Sequence, residues 1–583
     1  MLRKHMVGRG RYSEGSLHHR FRFHYLARYQ AVRFLISYVS KVNRRRALER
    51  CINIDMAGSI QLLVAIVIVV VLVVVSRLLR RDDPEQLYFT EMRGELRCGK
   101  LRGSYLTWMR DLLGTITGMV EIVDEGYDQF SKRGRLFVLA SMGSGSIVVL
   151  PSSHLQILSR PENQVAAFEV QLETWQPRYT IGNKELYEST INSAFKVVRK
   201  QLMKDVGRFT GPMAHELAAG IEKYWGSLEE WTTVNVYDTC SQIIARTTSR
   251  LFFGLPLCRD EKLLEQCRHY STAVFGSAAL ISALPPILQK VLGPVIAFPA
   301  KQRLATCTSI LMPYVERRLL QTRERKAVSN DVLQCMIDEA YQTNPEQLEA
   351  AHLTQSLLIL ILSAIHSTSY GFTNCILDLN SSDCCDDFIA GIREECECVS
   401  ADSGGLGNRV AVDRLHRIDS CIKESLRISG FTVVSLMRVI SATNGLKLDD
   451  ATVIPKGVRV GAPMQAIHHD SSFYHDPFRF NAFRFSETCE SPRPRGQPHQ
   501  NRAQTRTKEL STNTNEKFLT YGIGRHACPG RFFASQMMSL ALAYVVQNYD
   551  VEHISKRPKS QPILNILMPP TSATIRIRRR AKN

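Results

Sequence analysis

The stretch FLTYGIGRHACPGRFFA, Phe518 to Ala534, sets one cysteine between glycines, follows it with proline and surrounds it with Arg525, His526 and Arg531. A structural cysteine usually sits in apolar surroundings, whereas one that reacts or binds metal needs neighbours that favour its thiolate. From Pro529 onward, Ala, Met, Leu and Val recur at helical spacing, and proline suits a first helical position. This places Cys528 at the N-cap, where the helix dipole, Arg525 and His526 would make the sulfur anionic at neutral pH. Gly522, Gly524 and Gly530 let the backbone approach something flat and bulky. A lone thiolate under such a loop is what a haem iron with a single cysteine ligand requires. The competing account is a buried core cysteine, and the chain has 15 cysteines to distribute.

Other chemistry-bearing residues lie upstream. In LLILILSAIHSTSYGFTNCILDL the run from Leu357 to Ile365 is apolar on most sides and then meets His366, Ser367, Thr368 and Ser369. Buried hydroxyls and an imidazole need partners, which a cofactor-bound oxygen with its waters would provide. Hydroxyls bonding back to the carbonyl four residues earlier would equally satisfy them. In CIKESLRIS, Glu424 and Arg427 stand three apart on one helix face and can pair. Arg484, among the aromatics of DPFRFNAFRF, must find acceptors, and a carboxylate such as Glu424 would serve. Cys384, Cys385, Cys396 and Cys398 cluster without a Cys-x-x-Cys pair, which argues against zinc. No Gly-x-Gly-x-x-Gly unit follows a strand, so a flavin or nicotinamide domain is not expected.

The elements that must position these groups are mostly helices: Lys184 to Asp205, Pro212 to Trp225, Asn235 to Phe252, Asp260 to Ser277, Ala300 to Arg323, His352 to Leu379, Asp386 to Val399, Val412 to Ile428 and Pro529 to Gln547. Short strands fit GRLFVLA, SIVVLP, LKLDDATVIPKGVRVGAPM and SATIRIRRR, with Pro455, Lys456 and Gly457 as a turn. The fold class is mainly α with small β-sheets. Residues 486–516, rich in Ser, Thr, Asn, Gln, Arg and Pro, read as a solvated, disordered insertion. Val274 to Phe298 is apolar enough to line an entrance or touch a bilayer, or to pack in the core.

At 583 residues, 44% hydrophobic and 22% charged, the chain can bury a large core. Of its formal charge of +19, residues 1–55 supply +10; the rest is a mild bias without aromatic interleaving, so nucleic acid is not expected as a partner. Ala57 to Ser76 holds 14 consecutive apolar residues, Leu62 to Val75, and reads as a single transmembrane anchor. Arg77, Arg80 and Arg81 place the large C-terminal part on the cytosolic side, but the basic residues upstream pull the N-terminus to the same side. Met56 opens an ordinary anchor sequence, so residues 1–55 are read as an extension that is removed or not native. The cysteine spacing shows no disulfide framework, which fits a reducing cytosolic face.

Thr368, Glu424 with Arg427, Arg484 and Cys528 come in the order and rough spacing of the cytochrome P450 family. From about Leu87 to the C-terminus the chain resembles fungal secondary-metabolism members, in particular the ent-kaurene-oxidase-like group, through EGYDQFSKRGRLFVLA, SAIHSTS, AIHHDSSFYHDPFRFNAFRFS and YGIGRHACPGRFFA. The resemblance implies a cytochrome P450 fold behind a single N-terminal transmembrane helix, with a haem-thiolate catalytic domain over residues 87–583. It implies haem b with Cys528 as axial iron ligand, Glu424, Arg427 and Arg484 as a structural triad, and Thr368 guiding protons to dioxygen. Gly524 and Gly530 would lie against the cofactor, and His526, Arg525, Arg438 and Arg199 would face its propionates. It further implies electrons from NADPH through a separate membrane-bound reductase, a lipophilic terpenoid, meroterpenoid or polyketide substrate, contact with membrane lipid, and an endoplasmic reticulum location.

Three positions depart from the family pattern. Tyr521 replaces the phenylalanine seven residues before the cysteine, and His526 replaces the basic residue, usually arginine, two before it. Ser367 replaces the acid before Thr368, so proton delivery falls to Ser367, Thr368, His366 or water. This keeps open a haem-thiolate isomerase, dehydratase or cyclising oxidase. The odd N-terminus, Tyr521 and the polar insertion from Ser486 to Glu516 keep open a degenerate, non-catalytic membrane haem protein.

Overall fold

The computed structural model describes residues 105–581 except 142–144, 183, 203–205, 228, 283, 285, 325, 327–328, 344–347, 449–451 and 487–509. The extension at 1–55 and the anchor at 57–76 lie outside the described residues. The described helices of ten or more residues are α1 (Tyr105–Gln129), α2 (Lys184–Val197), α3 (Thr210–Trp225), α4 (Val236–Phe253), α5 (Glu261–Ser282), α6 (Pro286–Ile296), α7 (Phe298–Arg323), α8 (Val332–Thr343), α9 (Ala350–Asn380), α10 (Cys385–Ser403), α11 (His416–Ile428) and α12 (Arg531–Asn548).

Apolar residues all round a helix demand neighbours on every side. In α9 every residue from Ser356 to Leu362 is buried, and the helix packs against α2, α4, α5, α7, α11 and α12. Its length and composition would let it cross a membrane, yet it is the central helix of the main core. A second core lies under α1 and a five-stranded sheet. That sheet runs β1 (Phe137–Ser141), β2 (Gly145–Val149), β8 (Arg459–Ala462), β5 (Ser435–Ile440) and β3 (Val165–Ala166), all antiparallel except β2 with β8. β12 (Thr574–Arg579) lies between β4 (Thr232–Asn235) and β9 (Tyr549–Val551), with Ile575 and Ile577 inward and Arg576 and Arg578 outward. β6 (Leu446–Lys447) with β7 (Val453–Ile454), and β10 (Gln561–Ile563) with β11 (Ile566–Met568), form two hairpins.

The structure differs from the sequence expectations at identifiable points. The helix expected from Val412 breaks, because Glu395 of α10 accepts the backbone N–H of Arg417 at 2.7 Å and of Ile418 at 3.1 Å and so starts α11 afresh at His416. The helix after the cysteine begins at Arg531 with Gly530 as N-cap, two residues later than Pro529 suggested. The expected insertion is fastened at both described ends: Ser486 donates its N–H to Ser420 Oγ at 3.2 Å, and Ser511 donates its N–H to the Asp419 carboxylate at 2.8 Å. Residues 510–516 are therefore part of the packed fold. The apolar stretch from Val274 to Phe298 divides: Val274, Ala278 and Ile281 are core, whereas Leu288, Val291, Val295 and Phe298 are 45, 66, 44 and 55% exposed along one side of α6 and the start of α7.

Candidate haem-binding site

The Cys528 loop is built on two left-handed glycines, Gly522 at φ +76 and Gly524 at φ +60. A side chain on Gly524 would strike Ser159 Oγ at 2.4 Å, so this position requires glycine for space as well as for conformation. The Cys528 N–H donates to the Tyr521 carbonyl at 2.7 Å, and Arg531 Nη1 donates to the Cys528 carbonyl at 2.9 Å. Cys528 keeps accessible surface. Burial pushes the thiol pKa up, against the backbone N–H groups of Gly530 and Arg531 and the Arg531 charge, which pull it down. The net direction is upward, which corrects the expectation of a thiolate in the free protein: a bound metal cation is what deprotonates such a thiol outright.

Behind this loop, the buried Glu424 carboxylate accepts from Arg427 Nε at 2.7 Å and Nη2 at 2.8 Å, from Arg484 Nε at 2.9 Å and from the Asn481 N–H at 3.2 Å. Arg427 Nη1 also donates to the His468 carbonyl at 2.5 Å, and His468 Nε2 accepts the Leu519 N–H at 2.9 Å. Burial, with Arg427 nearby, lowers the His468 pKa to about 3, keeping that nitrogen an acceptor. Through His468 the ion cluster holds the strand of chain that leads into Cys528. The sequence reading missed this residue; the adjacent His468 and His469 in AIHHDSSF were its only signal.

On α9 the four polar residues part company. His366 is wedged between Tyr237 Oη at 3.4 Å and Thr272 Oγ1 at 3.5 Å, with the Phe275 ring at 5.4 Å, so it is committed to α4 and α5. Burial lowers its pKa to about 4 and leaves it neutral at pH 7. Ser367 is exposed and donates back to the Ser363 carbonyl at 3.1 Å, and Ser369 does so to Ile365 at 2.6 Å. Among the described residues the buried Thr368 hydroxyl takes no such back-bond.

The four expected cations also separate. Arg438 on β5 is buried; its Nη1 donates to the Met437 carbonyl at 2.8 Å, while its Nε is buried without a hydrogen-bond partner among the described residues, and burial lowers its pKa to about 10. His526 donates Nε2–H to the Arg160 carbonyl at 3.0 Å and has Nδ1 3.6 Å from Glu162. Burial lowers its pKa, so its imidazole is already committed as a neutral group. Arg525 is exposed beside it, and Arg199 is exposed on the π-helical turn after α2 with no contact to Arg438 or Cys528 among the described residues. Glu162, missed in the sequence, is the carboxylate that attracts both Arg438 and His526. An orphaned buried guanidinium nitrogen calls for an acidic partner. Arg438, with the close-approach glycines and Cys528, thus fits a flat macrocycle bearing carboxylates.

A family model described as Cytochrome P450 matches residues 127–577. The chain is a cytochrome P450. It is 32% identical over 499 residues to cytochrome P450 monooxygenase gloP of Glarea lozoyensis, covering 82% of this chain and 90% of that one. It is 34% identical over 471 residues to monooxygenase htyF of Aspergillus rugulosus, covering 78% and 68%. Among solved structures, the haem domain of cytochrome P450DA superposes with a TM-score of 0.58 at 16% identity, covering 79% of this chain and 94% of that one, a likeness of fold. This P450 is therefore an oxidoreductase of the monooxygenase kind, and its family uses haem b on a cysteine thiolate with electrons from a reductase.

Proposed function

We propose that Cys528 is the axial haem ligand of a membrane-tethered monooxygenase that oxidises a lipophilic secondary metabolite of terpenoid, meroterpenoid or polyketide type. The observation that carries the reading is the Cys528 loop, which sets the sulfur beside the N–H groups of Gly530 and Arg531 just before α12. Haem bound there supplies dioxygen activation, with the thiolate favouring O–O cleavage. The chain's residues do the rest. Gly522 and Gly524 bring the backbone close, Arg438 offers its unpaired Nε to a propionate, and the Glu424, Arg427 and Arg484 cluster holds the loop through His468. Thr368 offers a hydroxyl free of the helix backbone to pass a proton toward dioxygen, while the apolar body of α9 excludes water.

Electrons come from NADPH through a separate membrane-bound reductase. The apolar anchor sequence at 57–76 and the exposed side chains Leu288, Val291, Val295 and Phe298 support an endoplasmic reticulum membrane location with the catalytic domain cytosolic. A haem-thiolate isomerase, dehydratase or cyclising oxidase is the second reading, favoured by Ser367, a serine where the acid would stand and one that bonds back to Ser363. Expression of residues 56–583 and of Cys528→Ala, each reduced and exposed to carbon monoxide, tests the ligand: a thiolate-type Soret band lost in the variant is expected. A histidine-type band, or folded protein without haem, overturns it. Product analysis with NADPH and reductase separates hydroxylation from the second reading.

A further inference from the structure

Where the C-terminal ends of α9 and α11 meet α1, the loop at 476–480 and the β10–β11 hairpin, the structure forms a cleft of about 980 Å³. That volume suits a small molecule. Neither Cys528 nor Thr368 lines it, so the proposed oxidation makes no use of it.

Several features of its walls point to one kind of occupant. Phe478 is a wall residue and yet 75% exposed, with its ring 4.9 Å from that of His469. An open aromatic face offers an apolar contact and attracts a cation. His469 adds no opposing charge: its Nε2–H donates to the Ile428 carbonyl at 3.1 Å, and burial lowers its pKa, so the imidazole is neutral at pH 7. The charged wall residues are Glu121, Asp378, Asp383 and Asp476 against Arg479 and Arg557. Arg557 pairs with Asp378 and donates to Asn374 Oδ1 and Ser429 Oγ, each at 3.0 Å, so that pair is already satisfied. Arg479 turns to Cys384 Sγ at 3.9 Å. Three carboxylates then face one guanidinium, a net of two negative charges on a chain whose formal net charge is +19. Among the described residues Glu121 and Asp383 make no salt bridge. Gln465 is also a wall residue, and its Oε1 is buried without a hydrogen-bond partner among the described residues. A carbonyl oxygen in that state calls for a donor, as unpaired carboxylates call for a cation.

We propose that this cleft is a binding site for a protonated organic amine with an apolar or aromatic body. The ammonium group meets the carboxylates of Glu121, Asp383 and Asp476 and brings N–H donors to Gln465. The body lies against Phe478, Ile428 and Leu567. The proposal does not depend on which residue ligates haem.

The test is a calorimetric titration of phenethylamine, which is protonated at pH 7, into the full chain. The haem-loaded protein is first saturated with 4-phenylimidazole, which occupies the iron and keeps the amine from it. Saturable binding of the amine is expected, with binding about tenfold weaker or none for the neutral phenethyl alcohol and the anionic hydrocinnamate. Phe478→Ala and Phe478→Leu should each raise the dissociation constant about two- to fivefold, the scale of an exposed cation–π contact, while Phe478→Tyr stays near the parent. Glu121→Gln combined with Asp383→Asn should raise it about fivefold and flatten its dependence on salt. Phe478, Glu121 and Asp383 are all exposed, so these variants keep the fold. Equal affinity for the three probes, or a dissociation constant unchanged in both Phe478→Ala and the paired carboxylate variant, overturns the proposal. So does the absence of saturable amine binding. On haem-free protein the same titration omits the azole and decides in the same way.

Discussion

Replacing Glu424 with glutamine keeps the shape of the side chain and removes its charge. Arg427 is 1% exposed and Glu424 fully buried, so the change leaves a guanidinium inside the protein without its anion. Breaking a buried pair in this way costs about 3–5 kcal/mol, against a total stability of about 5–15 kcal/mol. The two arginines do not share the loss equally. Arg427 keeps one other acceptor, the His468 carbonyl, whereas Arg484 keeps the carbonyls of His475 at 2.5 Å, Arg479 at 3.0 Å and Asp476 at 3.3 Å, and its side chain is 14% exposed. Arg484→Gln should therefore cost about 1–2 kcal/mol, the scale of a charge-assisted bond reduced by solvent, and Arg427→Gln about as much as Glu424→Gln. Urea unfolding of the full chain, followed by fluorescence and by the carbon monoxide Soret band, measures all three. Since Arg427 also reaches the Cys528 loop through His468, the Soret signal should fail before the fluorescence in Glu424→Gln and Arg427→Gln. A loss below about 1 kcal/mol in Glu424→Gln, or equal losses at Arg427 and Arg484, would refute this reasoning.

Gly524→Ala adds a Cβ 2.4 Å from Ser159 Oγ at a backbone φ of +60, and should cost about 1–3 kcal/mol with loss of haem loading; adding Ser159→Gly should restore part of the loading by relieving the contact while the backbone strain stays. His366 has its pKa lowered from 6.5 to about 4. Because the folded value lies below the unfolded one, this residue contributes stability that is complete above pH 6.5 and is lost as the pH falls toward 4, by about 3 kcal/mol. His366→Phe should flatten the fall in melting temperature over that window, and an unchanged pH dependence would count against the burial argument.

Local chemistry was readable wherever partners are close in sequence or chemically obliged to meet. Glu424 and Arg427 were readable from spacing, Arg484 from a cation among aromatics that needed a carboxylate, and Gly522 and Gly524 from the need for close approach. The strand pattern of SATIRIRRR appears in β12 as inward isoleucines and outward arginines. What escaped was set by distance along the chain or by competition between local rules. Proline at Pro529 signals a first helical turn, but the chain from Cys528 to Gly530 first makes a turn of its own, and α12 waits until Arg531. Helix α6, containing Pro294, was hidden in an apolar run without clear period. His366 looked like a member of the reactive set because it adjoins Ser367 and Thr368, yet adjacent residues on a helix point about 100° apart, and its ring went to Tyr237 and Thr272. The pairing of Glu162 with Arg438 and His526 joins segments over 100 residues apart, and no local pattern announces it.

A second polar hub completes the account of how the site is held. Asp378 near the end of α9 accepts from Ser425 Oγ at 2.6 Å and Ser429 Oγ at 2.9 Å and pairs with Arg557, which also donates to Asn374 Oδ1 at 3.0 Å. Ser425 lies between Glu424 and Arg427 on α11 and Ser429 caps its C-terminus, so one helix carries both hubs. Toward the Cys528 loop it grips through Arg427 and His468; toward α9 it grips through Ser425, Ser429 and Asp378. Asp378 lies ten residues beyond Thr368, about 15 Å along the same helix. A rigid helix fixed at Asp378 leaves little freedom for Thr368, and a loop fixed at His468 leaves little for Cys528. The spacing between the proton-bearing hydroxyl and the thiol is thus set by α11, from the side away from the chemistry. This explains why so many buried charges gather where no reaction takes place: hydrogen-bonded ions hold direction and distance more strictly than apolar packing does, and a site that must align a cofactor between two elements needs both.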